Sequence, residues 1–446
     1  QRNVHRQVEC CVYRWKEIIS KISENSFIKM RNTLPIVLLL FSSCFLFEED
    51  EKDEQNTNLT LSLHSAGVTT VNLNVSPEDS LAEFTFELTR DDSTVQTLSL
   101  QSDTLIKDTG LNPNITYTYK GYWKNGTERI SESDSLTVTT MDTTSHNFIW
   151  EIDTLGIYGS YLNDVAVIDE NNIWAVGRIR MLDPDSSFNG TGREDFNAAH
   201  WNGSEWELIL IGVPGVIGEG IFYFSENDIW VAAGIIYHWN GEEWERFHLW
   251  DMGVLGHEDG IITKVWGSEP DNLYFVGREG TIVHYDGSDF EQIESGNDVL
   301  LLDVEGSIDG EYVFMVGIDF FSPAYSTALQ IHEGSVETLY YSEVGFPDNA
   351  NEWGAISSVS IYEDTAYFVT YQGLWKYNYV TLESTVDPAF SNYGYRHMVV
   401  QAPNDIFMVG GGGDYTHFNG ASWDFNDALY NNYALSTVWG GGDLKG

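Results

Sequence analysis

Asp228-Ile229-Trp230-Val231-Ala232-Ala233-Gly234 runs through Ile235-Ile236-Tyr237 into His238-Trp239-Asn240-Gly241, and after two glutamates the chain resumes at Trp244. An apolar, β-branched and aromatic run stops at Gly, a second stops at Asn-Gly, and a third opens on Trp. Short runs of this composition bounded by Gly and Asn predict strands. Asn-Gly between two of them predicts a two-residue hairpin. The same order of residues recurs along the chain. Asn172-Ile173-Trp174-Ala175-Val176-Gly177 is followed by His200-Trp201-Asn202-Gly203 and Trp206, and Asn272-Leu273-Tyr274-Phe275-Val276-Gly277 by His284-Tyr285-Asp286-Gly287 and Phe290. Tyr312-Val313-Phe314-Met315-Val316-Gly317 leads to His332-Glu333-Gly334, and a worn copy keeps Ala366-Tyr367-Phe368-Val369 and Trp375-Lys376-Tyr377-Asn378. The last reads Asp405-Ile406-Phe407-Met408-Val409-Gly410, then His417-Phe418-Asn419-Gly420 and Trp423.

The aromatics at 174, 230, 274, 314, 367 and 407 lie 40 to 56 residues apart. About 40–45 residues is the length of a four-stranded propeller blade, and the longer intervals leave room for loops. An innermost strand carrying Val165, Val265, Val304 or Val359 precedes the aromatic strand and completes the four. The repeats therefore predict an all-β chain whose residues 146–446 form a β-propeller. Ala434-Leu435-Ser436-Thr437-Val438-Trp439-Gly440 matches the opening of a blade at Ile262-Thr263-Lys264-Val265-Trp266-Gly267, and Phe148-Ile149-Trp150-Glu151-Ile152 matches the outer strand at Trp206. One blade shared between the two ends would close the ring and remove its edges. Seven blades are expected, with six or eight as the alternatives, the last lacking its middle strands within this chain, so the natural protein is expected to continue past Gly446.

Upstream, residues 58–142 alternate with period two. Val71, Leu73 and Val75 alternate with polar residues, as do Phe84, Phe86 and Leu88; Val95, Leu98 and Leu100, then Tyr117 and Tyr119, then Leu136 and Val138 follow. Some seven short strands in this span predict an antiparallel sandwich. Leu111-Asn112-Pro113-Asn114-Ile115-Thr116-Tyr117-Thr118-Tyr119, with Gly126 and Ser135-Leu136-Thr137-Val138-Thr139-Thr140, resembles the second half of a fibronectin type III domain. The resemblance implies a tyrosine corner at Tyr117. The early-strand Trp of that family is missing.

The first Met is Met30. After it, Arg31 supplies positive charge, Leu34-Pro35-Ile36-Val37-Leu38-Leu39-Leu40-Phe41 an apolar core, and Ser42-Ser43-Cys44 small residues at a cut site. This is the form of a signal peptide over 30–43, too short to span a membrane. Phe41-Ser42-Ser43-Cys44 resembles a bacterial lipobox, which implies lipidation of Cys44. The other two cysteines, Cys10 and Cys11, lie upstream of Met30, in a 1–29 segment read as a misassigned upstream stretch. The run Glu48-Glu49-Asp50-Glu51-Lys52-Asp53-Glu54 within 44–57 resembles the acidic tether of surface lipoproteins of Bacteroidetes-type bacteria. That resemblance implies export to the outer-membrane surface of a Gram-negative cell.

The chain has 446 residues, 68 acidic against 22 basic, for a formal net charge of −46. Such a field repels phosphate backbones and excludes nucleic acid as a partner. The side chains next to the inner-strand valines should face the central channel: Asp164, Lys264, Asp303, Ser358, His397 and Thr437. They are the candidate binding residues, because propeller ligands often sit over the channel. In the first-blade insertion, Asp183, Asp185, Ser187 and Glu194 have the spacing of a calcium loop, although Phe188 occupies the place of its turn glycine. No other cofactor is expected. The repeated His200, His238, His284 and His417 lie around a ring and predict packing or turn hydrogen bonds rather than a metal centre. Trp250, Tyr325, Tyr340, Tyr341, Trp353, Tyr393 and Tyr395 are loop aromatics available to sugar or protein where packing does not claim them. Nucleophile-elbow, zinc-protease and phosphate-loop motifs are all missing. The expected function is a non-catalytic, lipid-anchored surface protein that binds a protein or polysaccharide and meets the membrane only through its lipid. A carbohydrate-active envelope enzyme is the alternative.

Overall fold

The computed structural model describes residues 11–15, 59–77, 84–100, 102–183, 192–319, 324–343, 353–387, 395–426 and 436–438. Cys44, the signal segment and the acidic run lie outside them. The chain divides into two compact units, one spanning Lys16–Asp142 and the other joining Gln1–Trp15 to Thr143–Gly446. Within the second unit, β1 (Cys11–Trp15) pairs antiparallel with β10 (Trp150–Thr154).

In the smaller unit, β2 (Leu59–Ala66), β3 (Thr70–Pro77) and β6 (Thr104–Thr109) form one sheet in the order β2-β3-β6. A second sheet holds β5 (Ser93–Leu100), β4 (Phe84–Arg90), β7 (Thr116–Asn125) and β8 (Glu128–Glu132) in that order, with β9 (Leu136–Thr139) also on β7. The predicted alternation is visible in the core, where Leu73, Val75 and Ile106 of one sheet meet Phe86, Leu88, Tyr119 and Val138 of the other. Trp123 joins them, its ring edge-on to Phe86 at 5.6 Å. Tyr117 accepts a hydrogen bond on its hydroxyl from the Asn112 N–H at 3.0 Å, the corner expected from the sequence.

Glu87 is buried on the same sheet, and the Arg129 guanidinium at 3.0 Å and the Thr94 hydroxyl both donate to it. Those bonds hold its carboxyl down at about 2, against an ordinary 4.5. A carboxyl more acidic in the fold than in the unfolded chain stabilises fully above its unfolded pKa and loses that contribution as pH falls. The melting temperature, followed from neutral pH downward, should therefore begin to drop near pH 4.5 and keep dropping toward pH 2. In Glu87→Gln this acid-dependent component should shrink, at a neutral-pH cost of about 2 kcal/mol for the lost charge-assisted bonds.

The larger unit contains six four-stranded antiparallel sheets among the described residues, each in simple chain order. Blade 1 runs Tyr161–Asp169, Asn172–Leu182, Arg193–Trp201 and Trp206–Ile209, and blades 2 to 6 open with Gly220–Ser225, Ile262–Glu269, Leu301–Gly306, Ile356–Tyr362 and Tyr395–Ala402. The opening strands of successive blades pack side by side. This order and this neighbour relation are those of a β-propeller.

The apolar cores lie between blades. Trp174 and Val176 of blade 1 pack with Ile229, Val231 and Tyr237 of blade 2, and Trp230 of blade 2 with Phe275 and Phe290 of blade 3. No blade could bury its own faces alone, which is why the aromatic recurs once per repeat. The hairpin turns differ by one place from the sequence reading. Asn202 N–H bonds to Glu205 O at 3.2 Å, so the turn is centred on Gly203-Ser204, with Gly203 at φ +89. Asn202 lies just before the turn, and its side chain accepts the Ser204 and Glu205 N–H groups, both at 3.0 Å. A short amide that closes the turn from outside, followed by a glycine with positive φ, explains the Asn-Gly pair.

Candidate functional site

Five of the six channel candidates fall on opening strands and the sixth, Thr437, on the extended segment 436–438, and the structure brings them together. Five of them follow a register slip in the pairing with the second strand, after Leu162, Ile262, Leu301, Ile356 and Tyr395. A bulge of this kind re-aims the next side chain. Here the next residue to pair is Asp164, Lys264, Asp303, Ser358 or His397.

These residues hydrogen-bond from blade to blade. Asp164 Oδ1 accepts its neighbour's Val165 N–H at 3.0 Å, and Oδ2 accepts the Ile221 N–H of blade 2 at 3.1 Å. Asp303 repeats the arrangement with Val304 N–H at 3.1 Å and the Val359 N–H of blade 5 at 3.2 Å. Ser358 Oγ accepts Met398 N–H of blade 6 at 3.1 Å while donating to Asp303 Oδ2 at 2.6 Å. His397 Nδ1 accepts Val438 N–H at 3.4 Å, and Thr437 Oγ1 donates to Asp164 Oδ1 at 3.1 Å. Segment 436–438 thereby joins blade 6 to blade 1.

Lys264 Nζ reaches Asp164 Oδ2 at 2.8 Å, passing blade 2 to do so. Gly220 makes this passage possible. A Cβ there would lie 2.8 Å from Thr263 O and 2.9 Å from Lys264 Cα. Gly220 holds the blade-2 place in the ring and was missed because it carries no functional group. A positional signal was available: like Asp164, Lys264 and His397, it stands ten residues before its blade's strand aromatic.

Burial opposes the charge on the Lys264 ammonium, but Asp164 and Asp303 outweigh it and raise its pKa above the usual lysine value. Burial lowers the His397 pKa below the ordinary histidine range; Lys264 pushes the same way, against Asp303. His397 Nε2 lies 3.8 Å from Asp303 Oδ2. The side chains of Asp164 and Asp303 are each 5% exposed, against 15% for Lys264 and 19% for His397. Ser358 is fully buried. The partly exposed members of the ring are therefore Lys264, His397 and Thr437, and its carboxylates are buried.

The repeated histidines pack, as their spacing predicted. His200, His238, His284 and His417 each point Nε2 at the Asn or Asp opening their blade's second strand, at 3.0, 2.8, 2.7 and 2.8 Å. Their rings lie against the blade aromatic, as in His238 on Trp230 at 4.0 Å. Of the calcium-loop residues, Asp183 and Glu194 are described, whereas Asp185 and Ser187 lie outside the described residues. Glu194 sits in a strand opposite Met181. Of the aromatics expected in loops, Tyr325, Tyr340, Tyr341 and Tyr395 instead lie in strands; Trp353 is buried and stacks on Tyr340 at 5.5 Å, and the half-exposed Tyr341 stacks on Tyr325 at 5.1 Å. Tyr393 lies outside the described residues.

No protein-family model matches the sequence, and no curated protein does. Solved structures similar in form include YCF48 bound to D1 peptide (12% identity, TM-score 0.44, covering 63% of this chain and 86% of that one). YCF48 from Cyanidioschyzon merolae gives 14%, 0.42, 61% and 87%, and the WD40 β-propeller domain of Doa1 gives 11%, 0.43, 64% and 88%. The propeller assignment rests on this chain's own strand order.

Removing Asp164 alone should leave Lys264 charged and buried without its closest partner. We expect Asp164→Ala to cost about 3–5 kcal/mol in urea unfolding, and Asp164→Ala with Lys264→Met to cost less than the single change. A double variant as unstable as the sum of its parts would show that the pair is not coupled.

Proposed function

We propose that the chain is a non-catalytic binding protein, held at the outer surface of a Gram-negative cell by a lipid on Cys44 and presenting a propeller face to a protein or polysaccharide. The observation that carries the binding reading is the use to which the ring puts its acids. Asp164 and Asp303 are committed to backbone N–H groups of their own and the next blade. Acid–base hydrolysis of a glycoside needs two carboxyl groups free to face the bond. A ring whose partly exposed members are Lys264, His397 and Thr437 suits recognition better.

Seven blades are the reading we favour. Trp423 Nε1 donates to Asp387 on the outer strand of the preceding blade at 3.2 Å, and Trp206 Nε1 donates to Asp153 of β10 at 2.9 Å. By that parallel β10 is the outer strand of the blade before blade 1, and Thr437 and Val438 stand where its inner strand would run. The smaller unit is proposed as a fibronectin type III-like spacer, supported by the β2-β3-β6 and β5-β4-β7-β9 pairings and the Tyr117 corner.

Two measurements test the proposal. In cells, Cys44→Ala should move the protein from the detergent phase to the aqueous phase on Triton partition; no movement would remove the lipid anchor. In vitro, a polysaccharide present at about 100 times its Kd should stabilise the chain by about 2.7 kcal/mol, seen as a melting shift. A shift without new reducing ends supports a receptor. Release of reducing ends establishes the enzyme alternative, and no shift across the panel leaves a protein as the partner class.

A further inference from the structure

The second strand of blade 1 is longer than the propeller requires. Asn172–Leu182 has 11 residues, against 5 in Asp228–Ala232 of blade 2 and 6 in Asn272–Gly277 of blade 3. The excess follows Gly177 and pairs with the opening of Arg193–Trp201, Arg180 opposite Asp195 and Leu182 opposite Arg193. Alternation puts Arg178, Arg180 and Leu182 on one face, with Asp195 beside them, and Glu194 on the other. The chain carries six arginines after Thr143: Arg178, Arg180, Arg193, Arg246, Arg278 and Arg396. Half of them stand in these two strands, in a chain of net charge −46.

Arg178 donates to Asp195 Oδ2 from Nε at 3.0 Å and from Nη2 at 2.7 Å, and Arg180 Nε lies 3.3 Å from Asp195 Oδ1. One carboxylate thus serves two guanidiniums, and the trio keeps one positive charge. Arg178 Nη1 and both terminal nitrogens of Arg180 make no hydrogen bond among the described residues, and all three side chains are partly exposed. Residues 156–160 seat the Arg180 fork. Ile157 N–H donates to Arg180 O at 2.8 Å, and Arg180 N–H donates to Ser160 Oγ at 2.9 Å. Gly159, at φ +91, lies against the guanidinium, where a Cβ would be 2.5 Å from Nη1. Any other residue there would displace the fork. Tyr158, next to Gly159, is 66% exposed, and Tyr161, opposite Arg178 in the strand pairing, is 40% exposed.

We propose that Arg178, Arg180, Tyr158 and Tyr161 form a binding site for an acidic sugar of a polysaccharide, with its carboxylate on the two forks and neighbouring neutral rings on the two phenols. This rests on the polysaccharide arm of the binding reading above. A planar guanidinium matches a carboxylate through two parallel bonds, and an exposed tyrosine offers an apolar face with a polar tip. One spare positive charge matches one carboxylate. An acidic peptide or a densely charged polymer would meet the chain's own negative field along the rest of its length. The fitting ligand therefore spaces its acids among neutral sugars.

Isothermal titration of the whole chain tests this. The probes are oligosaccharides with one uronate among neutral sugars, aldotetraouronic acid among them, each paired with the alcohol made by reducing its carboxyl group. At least one acid should bind, and its alcohol should bind about tenfold or more weakly, a difference that narrows at high salt. Tyr158→Ala, at an exposed position, should weaken the acid by about threefold to tenfold. Arg180→Lys keeps the charge and loses the fork, and should weaken it by about tenfold. Equal binding of acid and alcohol, no binding by any acid, or an affinity that neither variant changes overturns the site. A neutral polysaccharide or a peptide that binds wild type and both variants alike also overturns it, while leaving the receptor reading in place. The comparison of acid with alcohol uses the unaltered chain, so it decides even where a variant does not fold.

Discussion

The inner strand of a propeller blade has a neighbour on one side only, so the N–H groups on its other edge face the axis without a ladder partner. Buried backbone donors must be satisfied. Here the solution is a short acceptor at a fixed place, bonded to the N–H that follows the equivalent residue in the next blade. Asp164 does this for Ile221, Asp303 for Val359, Ser358 for Met398 and His397 for Val438. Aspartate has two oxygens and can also cap its own successor, as both aspartates do. The requirement accounts for the residue types around the ring and for the bulge that aims them. It also makes the blades depend on one another through polar contacts, beyond the apolar surfaces they share.

Much of this was legible from local pattern. The strands, the blade period and six of the ring positions each rest on residues close in sequence, where periodicity and turn chemistry act directly. The contact of Lys264 with Asp164 spans 100 residues, and nothing local to either marks it. Gly220 was illegible by type, since its contribution is the absence of a side chain. The Asn-Gly turns were placed one residue early because the asparagine caps the turn and does not occupy its centre.

In the smaller unit the indole of the core comes from β7. Trp123 packs there against Phe86 on neighbouring β4, within the cluster that also holds Leu73 and Ile106 from the other sheet. Core volume can be supplied from either strand as long as the total and the patterning are kept. The Tyr117 side chain has no such freedom, because its hydroxyl must reach one particular N–H.

In a chain of net charge −46, the centre of the propeller is organised around a cation. Asp164 and Asp303 are withdrawn from water, and two carboxylates in one low-dielectric ring repel each other. Lys264 lies within the influence of both and is held in its charged form by them. The same ammonium disfavours a positive charge on His397, adding to the effect of burial. A neutral imidazole whose Nε2 carries the hydrogen leaves Nδ1 as a lone pair, and that lone pair is what Val438 N–H requires. An imidazolium would present a second donor there and reject the segment. Lys264 therefore acts twice, balancing the acids that latch blades 1 and 4 to their neighbours and keeping His397 in the form that accepts the end of the described chain.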